Sequence, residues 1–318
     1  MNISNAHLLL VSYPAQGHVA PFMKLSHLLS ACGAKVTLVI TESKHARIVD
    51  QPQPGEDDHQ SRVRIVSIPD GLEPEDERKD VSKLIQSINR VMPGYVEELI
   101  NKINHQEGDE KITCVVADAI CGWALELANK FKLKKAVLFT AAPASLALTL
   151  QIPKFIQAGI INPDGTVRKN VRVELLPNLP TLSPAEFAWN NPGHPSLQEI
   201  MFEYLESIHR TLELSDWVLC SWFQELNPSA DRLLPNIIPV GPLLANGKPS
   251  GNFWCTDCSS LRIWSNRLSL LALVSLWLAM SSSTASNNFI KSGFVAGQDI
   301  MNFATEFRIG FCMNLYGL

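Results

Sequence analysis

Five short strand-like runs punctuate the first 140 residues, and helical spacing or turn residues separate each from the next. They are His7–Tyr13 (HLLLVSY), Lys35–Ile40 (KVTLVI), Val63–Ile68 (VRIVSI), Ile112–Ala117 (ITCVVA) and Lys135–Phe139 (KAVLF). A run that is apolar on both faces suits a strand covered on both sides, as in parallel sheets. Parallel neighbours need crossover connections, and those are right-handed. The fold class that follows is α/β: a Rossmann-like parallel sheet with helices against its faces.

The intervening segments fit that plan. Val19, Phe22, Met23, Leu25, Leu28 and Leu29 recur at helical spacing and stop at Cys32-Gly33, where glycine suits a helix end. Thr41-Glu42 opens a short helix, and the proline-, glycine- and acid-rich stretch 51–62 reads as a surface loop. A helix is expected over Asp80–Asn104 with an interruption at Pro93-Gly94, and another over Cys121–Phe131. Thr166–Pro195 reads as an irregular surface excursion and Ser196–Leu214 as a helix. Trp217–Cys220 is a short strand, Asn227-Pro228 a helix start, and Ile237–Val240 the last strand before Gly241-Pro242.

Composition excludes several functions. At 46% hydrophobic and 18% charged, the 318 residues can bury a large core, unlike a disordered chain. A net charge of −4 from 27 basic and 31 acidic residues argues against a nucleic-acid partner. The longest apolar run, Leu268–Met280, is broken by two serines and is too short to span a membrane. The amino terminus lacks the pattern of a signal peptide, and seven scattered cysteines suit reduced thiols, so a cytoplasmic monomer is expected.

Ligands of a parallel sheet bind outside the carboxyl ends of its strands. His18, after the first strand, and Asp118, after the fourth, are both delivered there. A neutral imidazole can act as a general base, and a carboxylate on its other nitrogen fixes the tautomer. The same two residues also fit a turn histidine and a helix N-cap, so spacing alone leaves both readings open. No G-x-G-x-x-G, G-x-x-x-x-G-K-[ST] or G-x-S-x-G is present. Cys255-x-x-Cys258 has zinc-like spacing without a second ligand pair, and no metal is expected. Trp123, Phe139, Phe187, Trp189, Trp217, Trp222 and Phe223 are expected mostly in the core, with one or two lining an apolar cleft.

Tyr13-Pro14-Ala15-Gln16-Gly17-His18-Val19-Ala20-Pro21 resembles the amino-terminal motif of plant family 1 UDP-glycosyltransferases, in particular the 83A-like branch. Val115-Val116-Ala117-Asp118 with Gly122-Trp123-Ala124-Leu125, and Phe139-Thr140-Ala141-Ala142-Pro143, are similar to the next landmarks of that family. Trp217–Leu226 and Val240-Gly241-Pro242-Leu243 resemble the close of its amino-terminal domain. The resemblance implies the amino-terminal half of a GT-B fold, with an acceptor-binding domain over 1–244. It implies His18 as the base that deprotonates an acceptor hydroxyl and Asp118 as the residue that orients it. Thr140 matches a position that touches the donor sugar, and Gly17 keeps the loop beside the base narrow. The implied partners are a small lipophilic acceptor, such as a flavonoid or terpenoid, and a UDP-sugar co-substrate, with no cofactor.

The family pattern continues to Gly251-Asn252-Phe253-Trp254. The family's donor-domain signature, which contains His-Cys-Gly-Trp-Asn-Ser, does not occur in the sequence. Residues 251–318 carry seven charged side chains against 51 in the first 250. Residues 245–258 are therefore expected to be a linker remnant, and 259–318 a divergent tail of out-of-frame or intron-derived origin, not a donor domain. Three functions stay open at this point: a glycosyltransferase, inactive as this chain; a non-catalytic acceptor-binding remnant; and an unrelated nucleotide enzyme.

Overall fold

The computed structural model describes residues 6–49, 63–78, 80–106, 111–141, 143–175, 181–190, 198–221, 237–241 and 243. The stretch 51–62, the helix start at 227–228, Trp222, Phe223, the cysteine pair 255/258, the linker 245–258 and the tail 259–318 lie outside them. In chain order the elements are β1 (His7–Val11), α1 (Gln16–Ala31), β2 (Lys35–Thr41), α2 (Glu42–Val49), β3 (Val63–Ile68), α3 (Val81–Asn104) and β4 (Cys114–Asp118). Then come α4 (Gly122–Lys130), β5 (Lys134–Phe139), α5 (Pro143–Gln157), α6 (Gln198–Leu214), β6 (Trp217–Cys220) and β7 (Ile237–Pro239). All seven strands are parallel, in the order β3-β2-β1-β4-β5-β6-β7.

Why the strand runs lack a polar face is visible in their packing. In β1, Leu9 and Val11 enter one core with α3, α4, α5 and α6, while Leu8 and Leu10 enter a second core with α1. Val115 and Ala117 of β4 join the first core, and Cys114 and Val116 join the second. Alternate side chains leave opposite faces of a strand, and here both faces are dry. The chain builds outward from β1 through β2 to β3, then returns to pair β4 against β1, with Val11 opposite Ala117. The direction of building reverses between β1 and β4. A crevice opens at such a point, at the carboxyl ends of those strands.

Two expectations need correction, and one helix had no counterpart in the sequence reading. The α3 helix runs unbroken for 24 residues through Pro93. Ile88 and Met92 before the proline, and Val96 and Ile100 after it, are buried in one continuous core that outweighs the lost backbone bond. Helix α5 was not expected from the sequence, and it too contains a proline, Pro153. The segment after it does not merely cross the surface. Ile161 bridges to Val167 and Val173 to Leu182, and a short 3₁₀ turn covers Pro184–Glu186. Phe155, Phe187, Trp189 and Phe202 then pack ring against ring, the first pair stacked and the next two tilted, with centroids 4.9–5.3 Å apart. Trp189 donates its indole N–H to the carbonyl of Gly165 at 2.8 Å. Gly165 has φ +79°, and a Cβ there would stand 2.5 Å from the Phe202 ring, so only glycine fits. Among the described residues, no helix is long and apolar enough to cross a membrane.

Candidate active site

Pro14 and Ala15 end the β1 ladder and begin a turn. The Ala15 carbonyl accepts from His18 N–H at 3.0 Å and Val19 N–H at 2.9 Å, and α1 starts without a side-chain cap. His18 therefore sits in the first turn of α1, just beyond the end of β1. Asp118 is the last residue of β4 and is almost wholly buried, at 1% exposure. Adjacent strands close the 100-residue separation, and His18 Nδ1 lies 2.8 Å from Asp118 Oδ2.

The contact decides the tautomer. An ionised carboxylate can only accept, so the proton of the neutral ring resides on Nδ1, and Nε2 carries the lone pair. Asp118 is held in turn: its Oδ1 accepts from Ile120 N–H at 3.1 Å, and Tyr13 N–H points at Oδ2 from 3.5 Å. Thr140, directly after β5, places Oγ1 3.2 Å from the same His18 Nδ1. The single ring proton goes to the nearer, charged carboxylate, which leaves the threonine oxygen as a second and weaker acceptor. The Tyr13 ring meets the imidazole edge-on, with centroids 5.2 Å apart. Gly17 precedes His18 in the same helical turn and is exposed.

A small cleft opens beside this pair. His18 and Tyr13, Val81 and Ile85 of α3, Ile120, and Met201 and Tyr204 of α6 line it. Burial, reinforced by the charge of Asp118, pushes the Tyr13 and Tyr204 phenols and the Cys121 thiol up from their ordinary values. Both tyrosines stay protonated at neutral pH. The aromatic residues that line the cleft are thus tyrosines, whereas Phe187 and Trp189 lie wholly in the core. Tyr13 carried a signal in the segment around His18. The α3 and α6 residues carried none, because Val81 and Ile85 lie well before Asp118 in the chain and Met201 and Tyr204 far after it, and tertiary packing alone brings them to the cleft.

A second carboxylate cluster stands at the ends of β2 and β3. Asp70 receives Arg78 Nε at 2.7 Å and an Arg78 terminal N–H at 3.1 Å, with Ser43 Oγ–H at 2.8 Å and Leu72 N–H at 3.0 Å. Burial pushes the Asp70 carboxyl up, but these hydrogen bonds outweigh it and hold the group below the usual carboxylate range. Arg78 also ties down the carbonyls of Leu72 and Glu73. Among the described residues, no group of three His, Cys, Asp or Glu side chains is placed to hold a metal ion.

No family model matches the chain. It is 39% identical over 241 residues to UDP-glycosyltransferase 83A1 of Arabidopsis thaliana, which covers 74% of this chain and 52% of that protein. It is 28% identical over 282 residues to linamarin synthase 1 of Manihot esculenta, covering 80% and 57%. In fold it is similar to a UDP-glucosyltransferase from Polygonum tinctorium that glucosylates indoxyl, solved with 3,4-dichloroaniline. The TM-score is 0.58 at 15% identity, over 77% of this chain and 54% of that one. The chain spans about half the length of the curated relatives it matches.

Proposed function

We propose that this chain, which belongs over its matched 241 residues to the plant family 1 UDP-glycosyltransferases, supplies the acceptor site and the base for inverting sugar transfer. The observation that carries the reading is the 2.8 Å contact of His18 with Asp118 beside an otherwise largely apolar cleft. An acceptor hydroxyl placed at His18 Nε2 gives up its proton there as its oxygen attacks the anomeric carbon of a UDP-sugar. The bond from that carbon to UDP breaks, UDP departs with the electron pair, and the sugar centre inverts. Asp118 holds the ring in the tautomer that can receive the proton and balances the imidazolium that forms. Thr140 bears on the base through Nδ1 and on the donor sugar as it approaches from beyond β5, with Gly17 keeping the entry open.

The acceptor is a small lipophilic metabolite such as a flavonoid or terpenoid, and the sugar is glucose, as in the Polygonum relative named a glucosyltransferase. Residues 1–244 act as the acceptor domain of a cytoplasmic monomer, 245–258 as linker and 259–318 as a tail without donor function. These 318 residues alone transfer little sugar, because holding a nucleotide diphosphate calls for helix N-termini and backbone donors of the family's other half. A second reading, a non-catalytic binder of the same acceptors, is favoured by the missing donor signature.

The test is transfer from UDP-glucose to a panel of flavonols and terpenoids. It uses the chain as it is and a fusion carrying a relative's donor half after Leu243. Transfer by the fusion, abolished by His18→Ala, supports the catalytic reading. A folded fusion that binds acceptors and transfers nothing supports the binder instead.

A further inference from the structure

Most of the cleft wall is hydrocarbon: Val81, Ile85, Ile120 and Met201. The lining residues that carry polar side-chain groups are His18, Tyr13 and Tyr204. The hydrogen bonds of both tyrosines run through their main chains: Tyr13 through its N–H and carbonyl, Tyr204 through its carbonyl. Among the described residues neither phenol hydroxyl has a partner. A tyrosine hydroxyl drawn out of water nearly always finds one, because an unmet donor is costly. Tyr13 as a whole is only 5% exposed. These hydroxyls also differ from Ser87 Oγ, Trp123 Nε1 and Ser145 Oγ, which are sealed away without partners. Both tyrosines line the cleft that a ligand would enter.

We propose that Tyr13 and Tyr204 are specificity-determining donors, and that they select acceptors bearing a second, hydrogen-bond-accepting oxygen besides the hydroxyl handed to His18. The assignment rests on the acceptor-cleft reading above. A phenol beside buried Asp118 cannot ionise readily, since the phenolate would be repelled, so each tyrosine meets the ligand as a donor. The complement of a donor is a carbonyl, ether or hydroxyl oxygen. A bare hydrocarbon analogue leaves the donors unmet, and sites built to hydrogen-bond discriminate against such analogues more strongly than apolar pockets discriminate by size. The class selected is a flat oxygenated phenol or alcohol. A simple terpenoid alcohol, with one oxygen, falls outside it.

Two fluorescent probes of matched bicyclic size separate the alternatives: 7-hydroxycoumarin, with a ring carbonyl across from its hydroxyl, and 2-naphthol, with the hydroxyl alone. Fluorescence titration of the full chain is expected to show 7-hydroxycoumarin bound about tenfold more tightly, the equivalent of one well-made hydrogen bond. Tyr204→Phe and Tyr13→Phe keep the rings and remove only the hydroxyls. At least one of them is expected to bring that ratio close to one, with the loss falling on 7-hydroxycoumarin. Equal affinity for the two probes in the unaltered chain overturns the assignment. So does a ratio that survives both substitutions, or an equal weakening of both probes, which would mean that the phenols act through packing. If neither probe binds, the cleft reading itself fails and this assignment goes with it. Binding of 2-naphthol without discrimination removes the tyrosine assignment alone.

Discussion

The crevice at β1 and β4 and the cluster at β2 and β3 both place a buried aspartate against a basic side chain at the carboxyl edge of one sheet, but they are completed differently. Around Asp70, four donors meet one carboxylate, and two further N–H groups of the Arg78 guanidinium go to the carbonyls of Leu72 and Glu73. That cluster fastens 70–78 ahead of α3, where Asp80 caps the helix through Lys83 N–H. Around Asp118, the basic partner is an imidazole engaged through Nδ1, with no hydrogen-bond partner for its other ring nitrogen among the described residues, and His18 lines the cleft. A saturated network holds a shape, whereas an unsaturated one at a crevice has a group left over for chemistry. The comparison yields a rule for this sheet: count the unspent donors and acceptors before assigning a role.

The largest expected effect falls on the unsaturated pair. In the fusion with a donor half, His18→Ala lowers turnover by roughly 10²–10⁴-fold, as loss of a general base does. Its unfolding midpoint stays close to that of the unaltered fusion, and steady-state kinetics with denaturant melts check both statements. Asp118→Asn also cuts turnover substantially with the fold intact, since an amide neither fixes the tautomer nor balances the imidazolium. The double variant loses less than the product of the single losses, because the two act as one unit. Full additivity would place Asp118 outside the base's mechanism.

The saturated cluster responds in stability. Asp70→Asn leaves Arg78 without its charge partner and costs on the order of 1–3 kcal/mol, reduced from the fully buried case because Arg78 is 27% exposed. The sign with pH follows from the lowered carboxyl. The folded protein keeps Asp70 ionised at pH values where the unfolded chain protonates it. Its contribution is therefore whole above about pH 4 and drains as the pH falls through the folded value. Urea melts of both proteins between pH 7 and pH 3 should show the gap closing towards acid. A gap that stays constant contradicts the assignment.

The smallest effects come from the hydroxyl neighbours, and they sharpen the contrast. Ser43→Ala removes one of the four donors to Asp70 and costs about 0.5–1.5 kcal/mol of stability without touching transfer. Thr140→Val removes the weaker of two acceptors at His18 Nδ1, so denaturant melts barely move. On the role proposed for Thr140, turnover of the fusion is expected to fall by less than the loss seen in Asp118→Asn.

Much of this geometry was legible before any coordinates. Strands covered on both faces announce themselves as apolar runs, and parallel pairing then carries His18 and Asp118 to one edge whatever their separation in sequence. Helix α5 was harder, because PASLALTLQIPKFIQ is apolar nearly all round and has Pro153 near its end. Periodicity is silent when no face is polar. The interruption expected at Pro93 failed because a local penalty was set against a core that spans both sides of it. The 161–190 segment hid its packing, since polar and proline-rich spacing around Phe187 and Trp189 says nothing of the Phe155 and Phe202 rings that receive them. Tyr204 and Met201 reach the cleft from a helix with no motif at all, and only the fold brings them there.

The account turns on which nitrogen of His18 holds the proton, and nitrogen-15 NMR of the imidazole rings in the full chain reads this directly. The neutral His18 ring is expected as the Nδ1–H tautomer, with Nε2 bare, and Asp118→Asn should erode that preference. A His18 ring protonated at Nε2, or a tautomer indifferent to Asp118→Asn, would contradict the account.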